Sequence, residues 1–343
     1  IRDRLLSGQA WSLAGWTVAG LRHILERFSL LQPYLAGTRS VPFPALVLAL
    51  CGALFLLLPR GLPLRWIGAF MLLPLFLPGD RPAAPGSIRV DALDVGQGTA
   101  MAVSTQNRLL LYDTGPGDGA GRDHVSSAIA PLMAELGRTA PDILVISHGD
   151  LDHSGGLQSF RRRYPETAIL GSALGREDLI AKCRSGQNWS WDGFSFEVLH
   201  PAAGLPYLRN NSSCVLGIKN GTAGILLSGD IDRSVEQRLL LEGLGRFSLV
   251  LAPHHGSSSS SSPEFIERVA PSAALATASL GNRFGFPRES VQKRYESQSI
   301  PLWATGECGG LRITIDREGR VAASSARNVR RRIWRWPAAE ICP

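Results

Sequence analysis

Four side chains able to hold a divalent cation fall within six residues of Ser147-His148-Gly149-Asp150-Leu151-Asp152-His153-Ser154-Gly155-Gly156. The run directly follows Asp142 to Ile146, an apolar stretch that reads as a buried strand. A loop turning at Gly149 can aim the alternate side chains His148 and Asp150 at one ion and leave Asp152 and His153 to face a second. Carboxylates crowded in this way repel one another, and a divalent cation removes that cost. Metal-assisted chemistry is therefore the first expectation.

Three further segments end apolar runs with residues of the same kind. Asp113 closes Leu111-Tyr112-Asp113-Thr114-Gly115, Asp230 closes Leu227-Ser228-Gly229-Asp230, and Pro253-His254-His255-Gly256-Ser257 places two imidazoles at another strand end. Taken singly, Asp113 and Asp230 read as turn or cap residues. The histidine pair before a glycine favours a ligand. Gly96-Gln97-Gly98 and Gly115-Pro116-Gly117 lack the lysine of a phosphate-binding loop and read as turns that let backbone pass near the ions. Ser257 to Ser262 reads as a mobile linker beside the site.

The elements that must position these residues alternate. Strand signals run over Ile88 to Val95, Met101 to Ser104, Arg108 to Tyr112, Phe194 to Leu199, Cys214 to Lys219, Gly224 to Leu227 and Leu249 to Ala252, and helical signals over Val125 to Leu136, Gly156 to Tyr164 and Ser234 to Leu244. That order predicts a layered α/β domain with its chemistry on loops at strand ends. The five cysteines form neither a disulfide framework nor a zinc knuckle, although one bond such as Cys183–Cys214 is compatible with them.

The first quarter is different in character. Trp11, Trp16, Leu21, Ile24, Leu25, Phe28 and Leu31 recur at near-helical spacing with Arg22, Glu26 and Arg27 between them, as in an amphipathic interfacial helix. The uncharged runs Phe43 to Leu58 and Trp66 to Leu77 then suggest a hairpin of two membrane helices, each about 17 or 18 residues with its flanks against the ~20 of an ideal span. Arg60 and Arg65 in the turn would place that turn in the cytoplasm and everything after Pro78 outside. The expected organisation is membrane-associated helices over 1–78, a Pro/Gly linker over 79–87, a hydrolase domain over 88–322 and a basic tail over 323–343. The net charge of +7 suits an anionic partner, nucleic acid or a membrane surface.

In order, the Asp113, His148 to His153, Asp230 and His254/His255 motifs resemble the metallo-β-lactamase superfamily, which implies an αββα four-layer sandwich over about residues 88 to 316. More narrowly, Leu93-Asp94-Val95-Gly96-Gln97-Gly98, the Ser147 to Gly156 run, Asn210-Asn211-Ser212-Ser213, Ser228-Gly229-Asp230 and Pro253 to Ser257 are similar to the C-terminal domain of the bacterial ComEC competence family. That resemblance implies a nuclease of DNA uptake on the outer face of the inner or plasma membrane. It would degrade the strand that is not imported, with DNA, the membrane and other uptake components as partners. It further implies two divalent ions, and its three carboxylates with only a few imidazoles tilt the choice from zinc toward manganese or magnesium. His148 and Asp150 would ligate the first; Asp152, His153 and one of the histidine pair, His254 for preference, the second; Asp230 would bridge. His255 would then face the substrate phosphate, Asp113 would orient a ligand, and Asp152 and His255 would serve catalysis. A phosphorylcholine esterase, or a binding module with a degenerate site, is the alternative. Two departures from the family pattern stand out. Asn210-Asn211 occupies the stretch where a further histidine is usual, with His200 more in keeping with a strand end, and Phe286 stands where Gly-His-Pro is common.

Overall fold

A computed structural model of the chain describes residues 15–23, 27, 43–59, 65–76, 83–118, 123–172, 181–221, 223–329 and 341–343. The chain divides into two units, Ile1–Asp80 with Ala134–Thr139, and Arg81–Met133 with Ala140–Pro343.

In the first unit, residues 15–23 are helical, and most of the expected amphipathic helix lies outside the described residues. The two apolar runs form α1 (Phe43–Leu57) and α2 (Ile67–Leu72), the latter passing into a single tight turn over Leu73–Phe76. The helices cross closely at two glycines. A Cβ on Gly52 would stand 2.6 Å from the Gly68 carbonyl oxygen, and one on Gly68 would stand 2.4 Å from that of Gly52.

The expected transmembrane hairpin is overturned. Among the described residues, no helix is long and apolar enough to cross a membrane. At 1.5 Å per residue, the 15 residues of α1 reach about 22 Å, short of the ~30 Å hydrocarbon core. Pro59 follows α1, and Pro74 lies where α2 tightens and stops, each unable to supply the N–H that would extend a helix. The membrane-associated helices of the expected fold class fall with the hairpin, and so does the multi-pass placement in the inner or plasma membrane.

The second unit carries the chemistry. Its strands and helices run β1 (Ile88–Ala92), β2 (Met101–Ser104), β3 (Leu109–Tyr112), α3 (Ala130–Glu135), β4 (Ile143–Ile146), α4 (Leu151–Ser154), α5 (Leu157–Arg163), β5 (Ala168–Gly171), β6 (Ala181–Lys182), β7 (Asn188–Trp191), β8 (Phe194–His200), β9 (Val215–Asn220), β10 (Ala223–Leu227), α6 (Arg233–Leu241), β11 (Leu249–Leu251), α7 (Pro263–Val269), β12 (Ala273–Ala276), α8 (Glu289–Glu296), β13 (Leu302–Ala304), β14 (Leu311–Ile315) and β15 (Val321–Ser325). Among the described residues they form two mixed sheets, ordered β15-β14-β1-β2-β3-β4-β5-β6 and β13-β12-β11-β10-β9-β8-β7. Each sheet changes from antiparallel to parallel pairing within its run, after β3 in the first and after β10 in the second.

The core between the sheets gathers Val90, Val103, Leu110 and Tyr112 from the first with Phe194, Phe196, Val198, Ile225 and Leu251 from the second. Side chains alternate across a strand, so Leu109 and Leu111 point away from that core. Both are fully buried nonetheless. Cover on both faces is why β3 reads as an unbroken apolar run. On the outer face of the second sheet, Val215, Leu226, Val250 and Ala274 pack against Val235, Leu239, Phe265, Ile266, Val291 and Tyr295 of α6, α7 and α8. Two disulfides, Cys183–Cys214 and Cys308–Cys342, add covalent ties. The Cys308–Cys342 bond holds one end of the expected basic tail, whose residues 330–340 lie outside the described ones.

Candidate metal centre

Every loop that delivers a candidate ligand leaves the C-terminal end of a strand near the change from antiparallel to parallel pairing. Asp113 follows β3, His148 to His153 follow β4, Asp230 follows β10, and His254 and His255 follow β11.

Asp152, His153, Asp230 and His255 meet there, with one potential ligand atom from each lying within 4.8 Å of all the others. His153 Nε2 is 3.2 Å from Asp230 Oδ1, 3.2 Å from His255 Nε2 and 3.8 Å from Asp152 Oδ2. His255 Nε2 is 3.3 Å from Asp152 Oδ2 and 3.4 Å from Asp230 Oδ2. Three of the four residues are buried, and Asp152 opens toward solvent.

Partners behind the imidazoles fix which nitrogen faces inward. Asp113 is wholly buried and its Oδ2 lies 2.7 Å from His153 Nδ1, while it accepts from the Ser147 backbone N–H and hydroxyl at 2.6 and 2.8 Å. His255 Nδ1 lies 3.1 Å from Thr277 Oγ1, which in turn is 2.7 Å from Thr99 Oγ1. In both histidines Nε2 is left to face the cluster, the arrangement that orients metal-ligating imidazoles. Ser147, Thr99 and Thr277 are contributions that the motifs did not single out. For Thr277 a signal existed: like the ligand loops, it ends an apolar strand, β12.

His148, Asp150, His254 and Asn210 stand beside the quartet, the His148 ring 4.3 Å from that of His153. The His148 Nδ1 is 3.1 Å from the Ser147 hydroxyl. Its Nε2 is buried with no hydrogen-bond partner among the described residues, and Asp150 Oδ2 is 3.9 Å away. His254 Nε2 lies 3.8 Å from Asp230 Oδ2 and 3.3 Å from Asn210 Nδ2. Asn211, by contrast, is bonded to Asp232, and His200 Nε2 faces the Asn211 carbonyl at 2.8 Å. Of the residues standing in for the missing histidine, only Asn210 reaches the site. His255, not the expected His254, joins the quartet.

The electrostatics suit cations. Burial pushes the His148 pKa down to about 4, helped by the charge of His153, so its imidazole is neutral at working pH. Burial would raise the Asp230 carboxyl, yet the charges of His153 and His255 hold it well below the usual range. Burial would likewise lower His153, but Asp230 and Asp113 raise it well above an ordinary histidine. In the metal-free protein a proton thus sits where the donors converge. A buried lone pair without a partner, beside a four-residue nest of metal-binding donors, fits a divalent ion.

The glycines that flank the site have a steric reason. Gly98 adopts φ +134°, and a Cβ there would stand 2.3 Å from the Asp152 carbonyl oxygen, the next residue's N–H being the one that donates to that oxygen at 3.1 Å. The serine run is not the mobile linker expected. Ser260, Ser261 and Ser262 are buried, the N–H groups of Ser261 and Ser262 donate to Glu236 at 2.5 and 2.9 Å, and Ser262 caps α7. Beside the centre, a cleft of about 310 Å³ is lined by Ser172, Lys182, Arg184, Tyr207 and Ser212 among others. Its Tyr207 hydroxyl accepts from the Gly149 N–H within the ligand loop at 3.1 Å.

Residues 93–276 match the Metallo-beta-lactamase superfamily. The chain belongs to that superfamily. It is therefore a metallo-β-lactamase-superfamily hydrolase domain with one candidate metal cluster among the described residues. It is also related to bacterial competence proteins. It is 38% identical over 284 residues to "Competence protein ComA" of Neisseria gonorrhoeae, covering 82% of this chain and 40% of that protein. It is 30% identical over 229 residues to "Recombination protein 2" of Haemophilus influenzae, covering 66% of this chain and 29% of that one. The chain thus spans less than half the length of either relative. Among solved structures it is similar to the metallo-beta-lactamase fold protein YhfI of Bacillus subtilis, with 12% identity, a TM-score of 0.44, and coverage of 70% of this chain and 100% of the other.

Proposed function

We propose that this domain is a metal-dependent phosphodiesterase, a nuclease that cuts DNA during uptake, degrades the strand that is not imported, and works with other components of the uptake machinery. The observation that carries the reading is the convergence of Asp152, His153, Asp230 and His255 from separate strand ends into one nest. The relation to competence proteins supports DNA as the substrate class.

One ion would be held by Asp152, His153, Asp230 and His255. A second would take the orphaned Nε2 of His148 with Asp150, Asp230 and His254, and the Asn210 amide stands where a further imidazole is usual. Divalent ions in such a site supply charge neutralisation at a phosphoryl oxygen and a more acidic water. The residues do the rest. Asp113 and Thr277 fix the rings of His153 and His255 from behind. Asp150 and Asp152, each about a third exposed, form the open side through which a phosphodiester arrives. Arg209 lies 3.8 Å from Asp150, and with Lys182 and Arg184 in the adjoining cleft it gives a polyanion favourable contacts near a carboxylate-rich site.

The test is cleavage of labelled single- and double-stranded DNA by the full chain with Mn2+, Mg2+ or Zn2+ added separately. Metal-dependent cleavage that Asp152→Ala and Asp230→Ala each abolish is the expected result. Bound metal with no cleavage of either DNA would sink the nuclease reading.

A further inference from the structure

The loop between β12 and α8 carries two phenylalanines and two arginines that the metal chemistry does not use. Phe284 and Phe286 stack with ring centroids 5.4 Å apart and planes 17° from parallel. Phe286 in turn lies 6.3 Å from the His255 ring at 29°, and 5.7 Å from the His254 ring. A ladder of rings therefore runs from the candidate ligands outward to Phe284, which is 39% exposed. The Arg283 guanidinium sits 4.7 Å over the Phe284 ring, and that of Arg288 sits 5.8 Å over the Phe286 ring.

The ladder is held in place by the protein itself. Asn282 Oδ1 accepts from the N–H groups of Phe284 and Phe286 at 3.2 and 2.9 Å, and its amide donates to the carbonyls of Ser279 and Phe286 at 2.9 and 2.6 Å. Gly285, at φ +65°, makes the turn between the rings. The Arg288 N–H donates at 2.9 Å to the Gly256 carbonyl, one residue past His255. A hydrogen bond thus ties the loop to the turn that carries the histidine pair.

We infer that Phe284, backed by Phe286, presents a stacking platform for an unpaired base of single-stranded DNA, set beside the phosphate that the metal centre receives. The inference rests on the phosphodiesterase reading and narrows its substrate. Aromatic rings bind bases by stacking, with little regard to sequence. A base inside a duplex is already stacked on both sides and cannot use the platform. Arg283 and Arg288 are suited to the phosphates that flank the base. They also argue against a choline-type ligand: aromatic faces attract quaternary ammonium groups, but here a guanidinium group stands close to each ring and would repel another cation.

The experiment compares two fluorescein-labelled probes by anisotropy with the full chain in Ca2+, a gel of the recovered probe confirming that it is intact. One probe is octathymidylate, and the other is an eight-unit tetrahydrofuran abasic strand with the same phosphates. Wild type is expected to prefer the thymidylate by about 10-fold or more. Phe284→Ala should remove most of that preference, and Phe284→Trp should retain it. A Phe284→Ala protein that keeps the wild-type preference, or a wild type that shows none, overturns the platform, as does displacement of the thymidylate by phosphocholine at equal concentration. A base preference that is lost with Phe284→Ala, in a chain that cleaves no DNA with any metal, supports the platform while removing the nuclease reading beneath it.

Discussion

Asp113 sits at φ +61°, a left-handed conformation that few residues other than glycine accept. What holds it there is visible: both carboxylate oxygens are engaged, by the Ser147 N–H and hydroxyl and by His153 Nδ1. Strain of this kind persists where neighbours over-determine it. We expect Asp113→Ala to leave every candidate ligand in place yet weaken Mn2+ binding by about 10- to 100-fold, because His153 loses the partner that fixes its ring. Isothermal titration of the two proteins checks this, and an unchanged affinity would make Asp113 a turn residue only. Two of the four clustered donors, Asp152 and His153, could be picked out in the sequence as candidate ligands, because donors crowd into six residues after an apolar strand. The choice between His254 and His255 could not be made there. Both take left-handed conformations, φ 53° and 56°, and that double turn sends one ring into the quartet and the other toward Asn210. No property of two identical adjacent side chains announces it.

The strands β1 to β4 and β8 to β11 were readable from their apolar runs or alternation, because burial writes itself into composition. The strands β5 to β7 and β12 to β15 were missed; most are short, Ala-rich or partly polar and carry little periodic signal. The membrane hairpin was misread for the converse reason. An apolar run reports that its residues avoid water, while Pro59 and Pro74 set where a helix ends. At this scale the Cys183–Cys214 bond makes a measurable claim. Cys183 directly follows β6 of the first sheet, and Cys214 directly precedes β9 of the second. The Cys214 N–H donates at 2.7 Å to the Ser147 carbonyl, at the threshold of the ligand loop. Closing a loop of this separation, 31 residues, stabilises a fold by about 3–4 kcal/mol. Replacing both cysteines with serine is expected to lower the urea-derived unfolding free energy by that order, and a change well under 1 kcal/mol would show that the bond ties nothing the sheets do not already hold.

At the scale of the molecule, the quartet is divided between the sheets. Asp152 and His153 come from a loop of the first, and Asp230 and His255 from loops of the second. In the metal-free protein His153 takes the ion's place by carrying a proton, its pKa raised well above the ordinary value by Asp230 and Asp113 against the pull of burial. A raised folded pKa contributes stability that is complete below the unfolded value of about 6.5 and is lost as pH rises through the folded value. The metal-free Tm is therefore expected to fall as pH climbs past the ordinary histidine range. The metal-loaded Tm should lie above it and widen the gap over the same range, as the competing proton departs. Calorimetry with and without a chelator measures both, and a gap that narrows with rising pH would contradict the assignment.

The division of the quartet has a consequence for the protein's life in a cell. An ion bound across the two sheets favours the folded chain by mass action, so a chain made when such ions are scarce spends a larger share of its time open. Proteases act on that open fraction, and losses of 1–2 kcal/mol can change abundance several-fold. The amount of this protein that survives would then track the supply of its metal, with no dedicated sensor required.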